Sequence, residues 1–174
     1  MEKLYSYFGM AARGDRSNLK NCRVIVGEME KYSKVLTRHL VYNYQEFERD
    51  WTRRHPRTNL YQRDIVNWLR KEAKRFVADV TGESMGVGAE IVEAHNFEIP
   101  SLLFSHVRAK NRSTMWVYFT GADRRIELTL EQVLTNGGID VPIVYYTDEN
   151  IHEIAEREIR NFFTSTSTSS AARS

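Results

Sequence analysis

The sequence predicts an α/β fold, a five-stranded parallel sheet with helices on both faces. Short β-prone apolar runs alternate with longer segments of helical spacing, which argues for parallel strands covered on both sides. The chain has 174 residues and 41% apolar content, enough for one domain with its own core. The run Asp79-Val-Thr-Gly-Glu-Ser-Met-Gly-Val-Gly-Ala-Glu90 leads from an apolar strand through a glycine-bearing turn into a helix. The expected domain is 1–163, followed by a disordered Ser/Thr-rich tail, 164–174.

Leu4 to Phe8 is an aromatic, β-prone run. Asn18 to Tyr32 places Leu19, Cys22, Val26, Met29 and Tyr32 near helical spacing, and Val35 to Thr37 makes a second strand. Tyr42 to Asn59 is polar, aromatic and charged with Pro56, and reads as a long excursion and a candidate cover for the site. A helix from Leu60 to Ala73 puts Tyr61, Ile65, Trp68 and Leu69 on one side, with Asp64 beside that face. Strand three runs from Arg75 to Val80, and a helix is expected over Ala89 to Asn96. Ile99 to Phe104 gives strand four, Asn111 to Phe119 a short helix, Ile143 to Tyr146 strand five, and Glu149 to Phe163 the last helix.

Composition excludes several classes. A net charge of +2 makes no case for nucleic-acid binding. No segment reaches the roughly 18 apolar residues of a membrane span, and Met1 to Phe8 lacks the apolar run of a signal peptide. The single cysteine, Cys22, falls in an amphipathic stretch and reads as a small core residue, which fits a reducing cytoplasmic or nuclear setting. His39, His55, His95, His106 and His152 have no metal-ligand spacing, so no metal or other cofactor is expected. A Gly-x-Ser-x-Gly elbow is absent, and Gly86-Val-Gly88 lacks the rest of a dinucleotide fingerprint.

In an open α/β sheet, ligands sit outside the carboxyl ends of the strands, which places Ser84 and Glu90 toward a ligand. Gly86 and Gly88 allow close backbone approach, and free amides at the helix start favour an anion. The plainer alternative is a tight loop whose glutamate complements the helix dipole. Asp64 could equally be a surface carboxylate paired with Arg63 or Lys71. Tyr7 could be a core aromatic, Ser113 a helix cap and Arg13 a solvated charge. Together, two carboxylates from different helices, hydroxyls at Tyr7, Ser84 and Ser113, and the Arg13 guanidinium suit a glycosyl group.

The ordered pieces Tyr7-Phe8, Arg13-Gly14, Lys34-Val-Leu-Thr37 followed by His39, Tyr61-Gln-Arg-Asp64 followed by Trp68-Leu69, Val77-Ala-Asp-Val-Thr81 and Ser84-Met-Gly-Val-Gly-Ala-Glu90 resemble the 2'-deoxynucleoside 5'-monophosphate N-hydrolases. These belong to the wider nucleoside 2-deoxyribosyltransferase family. The resemblance covers roughly Leu4 to Met115. It implies a flavodoxin-like (Rossmann-like) fold, a homodimer, a small-molecule nucleotide substrate, and cleavage of the bond between deoxyribose and base. By motif, Glu90 matches the nucleophile that attacks the anomeric carbon, and Asp64 the aspartate that supports the sugar and assists proton delivery to the base. Tyr7 matches an aromatic residue against the sugar, and Arg13 belongs to the phosphate loop. Ser84 and Ser113 match phosphate-binding hydroxyls, the latter reaching in from the other subunit.

The chemistry agrees with that division. Breaking the N-glycosidic bond builds positive charge on the sugar and negative charge on the base, which calls for an anionic nucleophile and a proton donor. Glu90 is therefore expected to stay ionised near pH 7, held by local donors and helix amides. The chain departs from the hydrolase phosphate loop Gly-Ser-Ile-Arg-Gly-Gly, reading Met10-Ala11-Ala12-Arg13-Gly14-Asp15. It has Ala89 where a bulkier residue is usual, and Gly121 to Asp140 is longer than expected. Three readings stay open: hydrolysis of the monophosphate, deoxyribose transfer between bases, and nucleotide binding without catalysis.

Overall fold

The computed structural model describes residues 4–11, 17–56, 59–82, 84–109 and 130–165. The elements in chain order are β1 (Leu4–Gly9), α1 (Leu19–Met29), β2 (Ser33–Val35), α2 (His39–Tyr42), α3 (Tyr44–Arg54), a π-helix (Gln62–Glu72), β3 (Phe76–Asp79), α4 (Met85–Asn96), β4 (Ser101–His106), α5 (Leu130–Asn136), β5 (Ile143–Tyr146) and α6 (Ile151–Thr164). The strands form one parallel sheet in the order β2-β1-β3-β4-β5, the flavodoxin-like arrangement. The order reverses between β1 and β3, so the crevice at their carboxyl ends is where a ligand is accommodated in such a sheet.

Alternation along the strands divides the core in two. Phe8, Val77, Leu102 and Phe104 face one side, where Cys22, Ile25, Val26 and Met29 of α1 meet Ile151, Ala155 and Ile159 of α6. Tyr7, Phe76, Ala78 and Leu103 face the other, against Ile65 and Leu69 of the π-helix and Val87, Ile91 and Ala94 of α4. Both faces are apolar because both are covered. Cys22 is buried within the first cluster, as its spacing implies.

Several boundaries differ from the sequence expectation. β2 ends at Val35, paired with Ser6, and Thr37 turns away. The Thr37 hydroxyl accepts from Phe8 N–H (2.8 Å) and donates to Phe8 C=O (2.7 Å), a side chain standing in for the next rung of the ladder. Within the expected excursion Tyr42 to Asn59, Tyr44–Arg54 is helical, and residues 57–58 lie outside the described residues. Phe47, Trp51 and His55 recur every fourth residue, and their rings stack at 6.0 and 4.1 Å. That stripe is one residue wide among charged neighbours, so hydrophobic counting misses it.

The Leu60 to Ala73 segment is wound as a π-helix, with Ala73 N–H reaching Trp68 C=O five residues back (2.9 Å). It buries Arg63, Ile65 and Leu69, while Tyr61, just before it, is 51% exposed, contrary to the expected apolar side. β4 starts two residues later than expected, and the last helix runs through Thr164. The expected helix over 111–119 and residues 121–129 and 166–174 lie outside the described residues. Among those described, no helix is long and apolar enough to cross a membrane.

Leu103 is fully buried on β4, between β3 and β5. Leu103→Ala is expected to lower unfolding stability by about 2–5 kcal/mol, read as a lower urea midpoint with an unchanged slope.

Candidate active site

α4 begins four residues earlier than its sequence pattern suggests. Ser84 is its N-cap, with extended backbone and a side-chain oxygen that accepts from Val87 N–H (3.3 Å). A serine there satisfies an otherwise orphaned amide and starts the helix despite two glycines in its first turns. Gly86 and Gly88 are thus helical, not part of a preceding turn. A Cβ at exposed Gly86 would meet only Ser84 Oγ, at 3.6 Å, an ordinary contact. The hydroxyl hydrogen of Ser84 is still available to a ligand acceptor.

The early start moves Glu90 into the second turn, beyond the free amides, and α4 lays it across the switch point onto β1. Tyr7 O–H donates to Glu90 Oε1 (2.7 Å). Glu90 Oε2 is buried without a hydrogen-bond partner among the described residues and sits over Gly9, where a Cβ would lie only 2.5 Å from it. Gly9 is therefore part of the site. Its signal in the sequence is slight, a glycine ending an aromatic strand. Tyr7 has no exposed surface and packs on Phe76 at 5.9 Å, so what it offers the site is its hydroxyl.

Burial pushes the Glu90 carboxyl up to about 8, the Tyr7 hydrogen bond opposes that, and the Asp64 charge adds to it. This corrects the expectation of an ionised Glu90 near pH 7. One donor does not offset the desolvation of a buried carboxylate, and the helix amides are a turn too far away to help. Burial together with the two carboxylates also raises the Tyr7 phenol well above its ordinary value.

Asp64 comes from the first turn of the π-helix and is close enough to Glu90 and Tyr7 to act on both electrostatically. It is partly buried and held two-pronged by Arg63, Nε to Oδ1 at 2.5 Å and Nη2 to Oδ2 at 3.0 Å. Burial raises its pKa, and Arg63 works against the rise. Arg63 is 1% exposed and also pairs with Glu48 of α3 at 2.8 Å. Its guanidinium lies 5.0 to 5.4 Å from the ring centres of Trp68, Trp51 and Phe47, a cation walled by aromatic faces. His39 stacks on Phe47 at 3.8 Å, and burial followed by the Arg63 charge lowers it to about 3, so it is neutral at physiological pH. The sequence reading offered Arg63 as a partner of Asp64, and the structure shows that pair, but the burial of Arg63 and its second pairing with Glu48 carried no mark in the sequence.

The sheet's crevice thus brings together Glu90, Tyr7 and Asp64, with Ser84 capping the helix that carries Glu90. Arg13 and Ser113 lie outside the described residues. An open cleft of about 510 Å³ between α1 and the α2–α3 junction, lined by Leu19, Arg23, Val41, Tyr42 and Arg49, lies on the face of the sheet opposite Tyr7. No protein-family model matches this chain, and no curated protein matches it.

Because the pKa of Glu90 is higher folded than unfolded, its protonation stabilises the fold fully below the unfolded value of about 4.3, and that stability is lost as pH rises through about 8. Glu90→Gln removes the dependence. The variant is expected to gain in melting temperature over the wild type as pH rises from 5 to 9, a trend that parallel thermal scans would read.

Proposed function

We propose that this chain hydrolyses the N-glycosidic bond of 2'-deoxynucleoside 5'-monophosphates, giving free base and 2-deoxyribose 5-phosphate. The observation that carries the reading is the carboxylate set at the switch point, where Glu90 bonded to Tyr7 lies within electrostatic reach of Asp64. The motif resemblance supplies the substrate class. Glu90 Oε attacks C1' as the C1'–N bond breaks, and the electron pair leaves with the base, which takes a proton from the Asp64 side. Water then cleaves the glycosyl ester and restores Glu90. Tyr7 orients the carboxylate through its hydroxyl. Ser84 and Arg13 bind the 5'-phosphate, with Ser113 contributed by the second copy of a homodimer. No step in this chemistry requires a metal or cofactor.

The buried Glu90 favours a second assignment of roles within the same reaction. A carboxyl raised to about 8 is a proton donor at neutral pH, whereas Arg63 favours the ionised form of Asp64. In that version Glu90 protonates the departing base and Asp64 faces C1'. The pH profile separates the two. With Glu90 as nucleophile, kcat/KM rises toward pH 8 and then levels. With Glu90 as acid, it falls above pH 8.

The test is release of free base from deoxynucleoside monophosphates, ribonucleotides and unphosphorylated deoxynucleosides, with an acceptor base supplied in parallel. Cleavage confined to the deoxy monophosphates is expected, with Glu90→Ala about 10³-fold slower or worse. Base exchange on unphosphorylated nucleosides would make the chain a transferase, and equal turnover by Glu90→Ala would sink the mechanism. Gly9→Ala is expected to displace the Glu90 carboxylate and lower kcat at least tenfold while the protein still melts cooperatively.

A further inference from the structure

A third carboxylate, Asp79, lies at the end of β3, 2% exposed and outside the set assigned to the reaction. Asp79 Oδ2 accepts from Asn18 Nδ2 (2.8 Å), Tyr146 O–H (2.5 Å) and Thr81 Oγ (3.3 Å), and Oδ1 accepts from Thr81 N–H (3.1 Å). All of these donors are neutral. Burial raises its pKa, and those hydrogen bonds oppose the rise. A buried carboxylate is costly unless its oxygens accept hydrogen bonds, and among the described residues both oxygens of Asp79 do.

The donors come from every side of the crevice. Asn18 closes the segment after β1 that carries Arg13, and its Nδ2 also bonds Tyr146 O–H. Asn21 donates to Asn18 Oδ1 (2.9 Å) and to Asp148 Oδ1 beyond β5 (2.6 Å). Thr81 opens the loop that ends at the Ser84 N-cap, and its Oγ accepts from His106 N–H of β4 (2.8 Å). Arg108, two residues on, donates to Ser17 Oγ (3.0 Å). One buried carboxylate therefore ties the residue that ends the Arg13 segment to the residue that begins the one leading to Ser84, the two segments to which phosphate binding is assigned.

We propose that Asp79 is a positioning residue for the 5'-phosphate, setting the spacing between the loop that ends at Asn18 and the loop that leads to Ser84. The inference rests on the nucleotide reading of the site. It concerns the grip on phosphate and not the bond cleavage, so it is measured with Glu90→Ala present in every protein titrated, which removes turnover. Asp79→Asn replaces an acceptor oxygen with an amide that opposes the incoming donors, and the two loops lose their common anchor. Tyr146→Phe removes a single donor and keeps the ring.

The experiment is calorimetric titration of the full chain at pH 7 with 2-deoxyribose 5-phosphate, with a 2'-deoxynucleoside 5'-monophosphate, and with the same nucleoside lacking phosphate. Thermal melts check each variant. Asp79→Asn is expected to weaken both phosphorylated ligands about tenfold and Tyr146→Phe about threefold, while the unphosphorylated nucleoside changes by less than about twofold. The reciprocal pair Asn18→Asp with Asp79→Asn is expected to recover most of the loss. Equal weakening of phosphorylated and unphosphorylated ligands marks Asp79 as merely structural and overturns the proposal, as does unchanged phosphate affinity in the variants. If Asp79→Asn does not fold, Tyr146→Phe decides. A Glu90→Ala parent that binds none of the ligands overturns the nucleotide reading and this inference with it. Binding by that parent without base release by the wild type removes only the hydrolysis.

Discussion

The hydrogen bond from Tyr7 to Glu90 joins the first strand to the helix after the third, across the one place where the strand order reverses. It forms only because three conditions meet. Tyr7 must face the α4 side of the sheet, Ser84 must start α4 early enough to bring Glu90 over β1, and position 9 must lack a side chain. A carboxylate brought this far out of water keeps its proton above the ordinary range, because one phenolic donor does not replace its hydration. The pairing of fold and chemistry at this point thus depends on a packing arrangement.

Three carboxylates at one edge of the sheet have three different electrostatic settings. Among the described residues, Glu90 has one neutral donor and one oxygen without a partner. Asp64 has a guanidinium gripping both oxygens. Asp79 has neutral donors on both oxygens and no exposure to speak of. Such differences let one fold hold a proton on one acid while keeping another ionised at the same pH. Arg63 is central to the contrast, since it neutralises part of the charge of Asp64 and Glu48 while aromatic faces replace its water. Truncating one member of such a buried group leaves the others uncompensated, so α3 is tied to the site by electrostatics as much as by stacking.

Much of this was readable along the chain. Five short apolar runs predicted the five strands, since strands buried on both faces show as continuous apolar stretches. The Asp79 to Glu90 run marked the loop and helix that carry Glu90, Ser84 and, by its first residue, Asp79. Other features had no local signature. The stacking of Phe47, Trp51 and His55 needed Trp68 and His39 as partners from other elements, so α3 read as part of a polar, aromatic excursion. The π-winding of Gln62–Glu72 leaves the same residues in the same order as an α-helix, and only packing against the sheet shows that Tyr61 points away.

The sequence by itself determined the α/β class, the covering of the sheet on both faces, and the helix that carries Glu90, because these follow from periodicity and capping within short windows. The tertiary structure alone decided the environments of those groups: that Gly9 leaves room for Glu90, that Tyr7 is its donor, that Arg63 is buried between two carboxylates, and that Asp79 gathers Asn18, Thr81 and Tyr146. The physical reason is range. Hydrophobic pattern and helix capping act between residues a few positions apart, whereas desolvation and the bonding of buried polar groups join residues 83 positions apart, as between Tyr7 and Glu90, or 128, as between Asn18 and Tyr146.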